Sequence, residues 1–380
     1  MREKIPFVFG IQAEGENFTD RKEETEILRQ NFIYGVNTII ISPRRMGKTS
    51  LVDKVSSIVV SKDLLVAKID AFACRSEQDF CNAFATAVIK AASTKFEEWV
   101  ANAKTFLAHL VPKISFGPDN LNDFSLTLEY DNIPDKLEEV LALPERFAEK
   151  SGQRMVVCID EFQQIGEFSN SLIFQKKLRS VWQHQKHVSY CLYGSKKHMM
   201  DKIFLNSKYP FYRFGDLMYL KKISKQDWIP FIQERFELTG KHISKELAEK
   251  ICDYTECYSS YVQQLAWFVW LKTNTEATQH DFTYAVERLL DSNESLFIQM
   301  TESISEYQMN FLHALADGIE NGFSRQVIMK KYRYGTSANV SRIKQSLMEK
   351  DLIDKPKPNH IEISDPILKL WLKHRIWKSF

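Results

Sequence analysis

The chain has 380 residues, a formal net charge of +2, 44% hydrophobic and 26% charged residues. That composition belongs to a folded protein of two or three domains and excludes a disordered or low-complexity chain. No stretch approaches the ~18 uncharged apolar residues of a membrane span, and "MREKIPFVFG" carries no secretory pattern, so a cytoplasmic protein is expected. The six cysteines form no C-x-x-C pair, which argues against structural zinc or a disulfide framework.

In chain order, "NTIIIS" (37–42) reads as a buried strand that runs into a helix from Gly47. "LLVAKIDAF" (64–72) is a second strand, and "EQDFCNAFATAVIKAA" (77–92) is helical. "VPKISFGPDNLNDFSLTLEY" (111–130) alternates around a Gly-Pro-Asp turn and reads as an inserted β-hairpin. "RMVVCIDEF" (154–162), "VSYCLYGS" (188–195) and "DLMYLKKI" (216–223) complete five strands. Continuous apolar runs mean strands covered on both faces, hence an α/β core with a parallel sheet between two layers of helices. From Ser224 the strands stop. Helices are expected over 224–240, 244–255, 261–273 and 278–293. From Glu306, three helical patterns and then "KPKPNHIEIS" give the order of a winged helix. The expected division is a core over 1–222, a helical lid over 223–300 and a winged helix over 301–380.

The chemistry starts at "SPRRMGKTS" (42–50). This is a phosphate-binding loop, G-x-x-x-x-G-K-[ST], with Ser42 in place of the first glycine. It sits between a buried strand and a helix, where unpaired N–H groups and the helix dipole favour phosphate. Ser42, Pro43, Arg44, Arg45, Met46, Gly47, Lys48, Thr49 and Ser50 would line the nucleotide. Gly47 lets the backbone approach the phosphates, Lys48 reaches the β- and γ-phosphates, and Thr49 can ligate Mg²⁺. The second motif is "MVVCIDEFQQI" (155–165), an apolar strand closed by two carboxylates. Asp160 can hold Mg²⁺ through water, and Glu161 can activate the attacking water. Both motifs at strand ends point to ATP or GTP. No N-K-x-D guanine-reading motif follows the fourth strand, which favours adenine.

"FTDRKEE" (18–24), "SPRRMGKTSL" (42–51), "CIDEFQQI" (158–165), "LYGSKKHMM" (192–200) and "ISDPILKLWLK" (363–373) together resemble the archaeal-type ATPase family, an AAA-related, STAND-like branch of the P-loop NTPases. The resemblance implies an AAA-like P-loop core, a helical lid and a C-terminal winged helix. It also implies base-side contacts from Phe18, Asp20 and Arg21, and a γ-phosphate sensor at Ser195. Cys257 and Ser259 in "TECYSSYVQQL" (255–265) stand where relatives often have Gly and Pro. An arginine that completes the site is also needed. Arg213 in "YPFYRFGDL" (209–217) is the candidate for transition-state or subunit sensing, with pairing to a neighbouring carboxylate as its other reading; Arg44 and Arg45 are nearer in sequence, with surface charge as theirs.

Charge is uneven. Residues 323–380 hold thirteen Lys and Arg against five Asp and Glu, a net +8 that leaves −6 for the rest. Such a footprint suits a binder of duplex DNA, read by the helix at 336–352 through Ser337, Asn339, Ser341, Arg342 and Lys344. Packing on the ATPase core, binding a protein partner and self-association are the other readings. For Trp371 and Trp377, core packing or a partner surface is expected. The expected function is an ATP-binding, ATP-hydrolysing switch, with Mg²⁺, that couples nucleotide state to lid and winged-helix position. The alternative is a DNA-binding regulator or initiation-type factor whose nucleotide site is mainly structural.

Overall fold

A computed structural model describes residues 5–11, 13, 15–93, 101–102, 105, 112–116, 124–128, 133–357 and 360–377. The chain forms two compact units. One comprises residues 21–44 and 48–220, and the other residues 1–20, 45–47 and 221–380.

The first unit is built on a five-stranded sheet. Its strands are β1 (Thr38–Ile41), β2 (Leu64–Asp70), β5 (Arg154–Asp160), β6 (Val188–Gly194) and β7 (Asp216–Tyr219). Their order is β2-β5-β6-β1-β7, and every neighbouring pair is parallel. β1 and β6 are buried at every position, as their unbroken apolar runs require. β7, at the edge, is shorter than its apolar run because Leu220 only closes the pairing, donating its N–H to Ile41. Between β2 and β5 in sequence, β3 (Pro112–Phe116) and β4 (Phe124–Leu128) pair antiparallel. Residues 111, 117–123 and 129–130 of the hairpin segment lie outside the described residues.

Helices cover the sheet where the sequence supplies caps. Ser76 accepts from the N–H of Asp79 to start Glu77–Ala91, and Gly35 and Gly152 end Lys22–Tyr34 and Leu143–Ser151 in the left-handed region. One face of the sheet is filled by an aromatic core. Trp182 stacks on Tyr190 with centroids 4.0 Å apart, and Phe84, Phe162, Phe211 and Phe214 pack around it. The strand order reverses beside β1, so the carboxyl ends of β1, β5 and β6 lie together, where open α/β sheets bind ligands.

The second unit is helical. Lys225–Glu237, Lys245–Tyr254, Ser259–Lys272 and Gln279–Glu302 follow the expected lid segments, the last running nine residues further than the sequence pattern suggested. Phe297 is buried on that extension, one heptad beyond the buried Leu290, so one apolar stripe carries the helix through its polar stretch. The winged-helix pattern is realised as Glu306–Ala316, Gln326–Tyr332 and Ser337–Glu349, then the hairpin β8 (Ile353–Lys357) and β9 (His360–Ile363), then a closing helix Pro366–Trp371. Capping boxes at Thr278 and Ser305 set two of these starts. Trp371 is buried against Phe297, and Trp377 stacks on His313 with centroids 4.3 Å apart, so both serve packing.

The units differ from the expected three-part division. Residues 1–20 and 45–47 group with the helical part rather than with the sheet. Val8 N–H donates to the Gln263 side chain, Gln263 in turn donates to the Asn17 carbonyl, and Ser260 N–H donates to the Arg45 carbonyl. No helix among the described residues is long and apolar enough to cross a membrane.

Candidate nucleotide site

The first unit gathers five of the predicted residues at the carboxyl ends of its central strands. Lys48 and Thr49 begin the helix Lys48–Val59, Asp160 ends β5 with Glu161 next, and Ser195 follows β6. Lys48 is 9% exposed and donates to Glu161 Oε1 at 2.8 Å, with Asp160 Oδ1 at 3.7 Å. Thr49 Oγ1 donates to Asp160 Oδ2 at 2.8 Å. Ser195 Oγ donates to Glu161 Oε2 at 2.7 Å. Glu161 holds a left-handed backbone, φ 48°, which a non-glycine residue adopts only when its surroundings enforce it.

The two carboxylates are driven apart in acidity. Burial pushes Asp160 up, against the pull of Lys48 and the Thr49 hydroxyl. Burial also opposes the charge on Glu161. There the Lys48 ammonium, with hydrogen bonds from Lys48, Gln163 and Ser195, wins and holds the carboxyl below the usual range. Thr49 Oγ1 and an Asp160 oxygen side by side are hard donors suited to Mg²⁺, which takes one or two protein oxygens and fills its other positions with water and phosphate.

The loop is placed residue by residue. Ser42 is buried, donates its hydroxyl to the Pro43 carbonyl and keeps a negative φ, so the missing first glycine causes no left-handed strain. Gly47 has φ 85°, with open space where a Cβ would stand, so glycine serves conformation there. Arg44 is exposed and Ser50 half-buried. Arg45, also left-handed at φ 67°, and Met46 belong to the second unit. There Arg45 pairs with Asp365 and lies 4.5 Å over the Tyr261 ring, while Ser259 Oγ donates to the Met46 carbonyl at 3.4 Å. Asp365 also accepts from Tyr261 OH at 2.6 Å and caps Pro366–Trp371 through the N–H groups of Ile367 and Leu368.

The remaining predicted residues are not drawn into this cluster. Arg21 is buried and paired with Glu24 at 3.0 Å, and Phe18 is half-buried in the second unit. Asp20 has φ 54°. Arg213 is exposed, with its guanidinium 5.3 Å from the Tyr212 ring. Cys257 has φ 58°, the conformation that suits the glycine of relatives, and Ser259 opens the helix Ser259–Lys272. On the winged helix, Ser337, Ser341 and Arg342 are exposed and Asn339 is half-buried. Lys344 is half-buried: its ammonium lies 4.7 Å over the Phe323 ring, and burial lowers its pKa.

Structural relatives agree with this architecture. The Walker-type ATPase Paby2304 of Pyrococcus abyssi superposes with a TM-score of 0.70 at 16% identity, covering 97% of this chain and 100% of that one. The ORC2 protein of Aeropyrum pernix, solved as ADPNP–ADP complexes, matches at 0.58 and 13% identity over 100% and 98%. Its ADP form matches at 0.52 and 13% identity over 94% and 95%. The chain has the fold of the archaeal AAA-related ATPases. A family model described as a probable winged helix domain matches residues 295–374. No curated protein matches the sequence.

Missed by the sequence reading was Gln163. It is buried and donates to Glu161 Oε2. The stretch "DEFQQI" offered a signal only in its polar residues directly after a buried strand.

Proposed function

We propose that the chain is an ATP-dependent switch that binds and hydrolyses Mg²⁺–ATP. The observation that carries this reading is the convergence of Lys48, Thr49, Asp160, Glu161 and Ser195 at three strand ends. Such a constellation is what phosphoryl transfer to water requires: a cation for the phosphates, oxygens for a metal and a carboxylate to orient water. When bound, Mg²⁺–ATP supplies the reactive phosphoryl group and the charge that these residues neutralise. Lys48 then turns from Glu161 to the phosphates. Thr49 would hold Mg²⁺ directly and Asp160 through water, where the metal would neutralise phosphate charge, and Glu161 takes the water proton. Arg213 is proposed as the arginine of the transition state or of a neighbouring subunit, and Phe18 and Arg21 as base-side contacts. Support for nucleotide at this fold comes from ORC2, whose structures are nucleotide complexes.

The test is paired. Lys48→Ala should lose ATP binding while remaining folded, and Glu161→Gln should bind Mg²⁺–ATP and lose turnover. Glu161→Gln turning over at the wild-type rate would refute the base assignment.

A second reading has its own observation. The +8 charge of residues 323–380, with Arg342 exposed on the helix Ser337–Glu349, suits contact with duplex DNA phosphates. Turnover measured with and without duplex DNA tests it.

A further inference from the structure

Gln163 lies in the 3-10 turn Phe162–Glu167 that follows β5. It is 2% exposed, a depth at which both ends of an amide need partners. Its Nε2 donates to Glu161 Oε2, and its Oε1 is buried with no hydrogen-bond partner among the described residues. Turning the amide over would set its oxygen against the Glu161 carboxylate, so the network fixes its orientation. The room it occupies comes from Gly194, the last residue of β6. A Cβ there would stand 1.9 Å from Gln163 Oε1, 2.9 Å from the Met200 sulfur and 3.0 Å from Gln163 Cδ. Gly194 has no left-handed φ, so glycine is needed there for space alone. A missing side chain on one strand and an unpaired buried oxygen on the next turn thus serve to hold one N–H group against Glu161.

The donors on that carboxylate are unevenly shared. Oε2 accepts from Gln163 Nε2, from Ser195 Oγ at 2.7 Å and from Ser195 N–H at 3.4 Å. Oε1 accepts from Lys48 at 2.8 Å. Lys48 is the donor that phosphates would draw away, so nucleotide frees one oxygen and leaves the other held.

We infer that Gln163 is a positioning residue for hydrolysis: with Ser195 it anchors Oε2 of Glu161, and so assigns Oε1 as the oxygen that takes the water proton. The inference rests on the proposed ATPase reading. In the step, an O–H bond of water breaks and its proton goes to Glu161 Oε1. The water oxygen forms a bond to the γ-phosphorus, the bond from that phosphorus to the β–γ bridging oxygen breaks, and ADP and inorganic phosphate leave. A carboxylate anchored at one oxygen keeps the other aimed, whereas a free one rotates and spends less time in the reactive pose.

The experiment uses the full chain with Mg²⁺–ATP. Gln163→Met keeps length and removes the donor. It should lower kcat by about ten- to a hundredfold, the usual effect of losing a hydrogen bond to a charged group, with KM and ATP affinity unchanged. In a Glu161→Gln background the same change should cause no further loss. Thermal unfolding supplies a readout apart from turnover. Gly194→Ala should destabilise the wild type and destabilise Gln163→Ala less, because the tightest clash is with the amide while the Met200 sulfur at 2.9 Å is common to both backgrounds. Gln163→Met at full kcat, or lowering ATP affinity as much as kcat, overturns the inference, as does an equal stability loss from Gly194→Ala in both backgrounds. If the wild type has no turnover, or Glu161→Gln keeps it, the ATPase reading itself fails. If Glu161→Gln is inactive and Gln163→Met is normal, only the role of Gln163 fails.

Discussion

Asp365 offers a sharp test of how the loop segment is held. It is 8% exposed and carries four interactions: two backbone N–H groups at a helix start, the buried Tyr261 hydroxyl and the Arg45 guanidinium. Replacing it with alanine removes a helix cap, typically ~1 kcal/mol. It also leaves the Tyr261 hydroxyl buried without an acceptor, about 1–2 kcal/mol. The Arg45 side chain is 32% exposed, so the ion pair is screened and adds at most ~1 kcal/mol. The total is roughly 3 kcal/mol for Asp365→Ala. Asp365→Asn keeps an acceptor for the cap and for Tyr261, loses only charge, and should cost about 1 kcal/mol. At about 2–4 °C per kcal/mol, the alanine variant should melt roughly 6–12 °C lower and the asparagine variant about 2–4 °C lower. Thermal and urea unfolding followed by tryptophan fluorescence reads both. Equal shifts for the two variants, or an alanine shift below about 2 °C, would refute the assignment of cap and acceptor roles to this carboxylate.

Asp365→Asn also releases Arg45 from its carboxylate, and ATP affinity measured by titration calorimetry should rise severalfold; an unchanged Kd counts against Arg45 as a phosphate contact. Gly47→Ala, forced to φ 85°, should lose about 1–2 kcal/mol of stability by urea unfolding, since space is open and only the backbone objects. Glu256 is held below its ordinary value of 4.5, although burial opposes the charge, because Lys369 and Lys222 lie beside it. Its stabilisation is therefore complete above that value and lost as pH falls through the lowered folded value, so Glu256→Gln should lower stability at neutral pH, leave it little changed in acid, and so flatten the fall of stability below about pH 4.5 in urea unfolding at several pH values. If the winged helix contacts duplex DNA, Arg342→Ala should reduce the slope of log K against log salt by about one, while Lys344→Ala should act mainly on stability because its ammonium lies over the Phe323 ring; fluorescence anisotropy at several salt concentrations separates the two.

What the sequence made legible was local. β1, β5 and β6 announce themselves as apolar runs, and the reactive residues sit at or next to their ends. Ser42 could be accepted in place of glycine because nothing in a strand exit demands positive φ, and the backbone agrees. What stayed hidden depended on partners far along the chain. The Lys48–Glu161 pair joins residues 113 apart, and Gln163 acquires its meaning only from the space above Gly194 on another strand. Lys344 reads as a surface cation in the sequence, because charge composition does not record that its ammonium lies over the Phe323 ring. The long helix Gln279–Glu302 was cut short in the sequence reading because "DSNES" is polar, although Leu289, Leu290 and Phe297 keep one stripe apolar through it.

The grouping of residues 45–47 with residues 221–380 bears on how this protein can be cut and how it can evolve. A fragment ending near residue 300 would retain Lys48, Thr49, Asp160 and Glu161, yet Arg45 would lose Asp365 and the conformation of the loop would be set by different neighbours. Nucleotide affinities of such a fragment would describe another loop. The same dependence ties together two positions 320 residues apart. A winged-helix segment taken from a relative would keep the present loop contacts best where it brings an acid to meet Arg45, so the arginine and the aspartate should tend to be gained and lost as a pair.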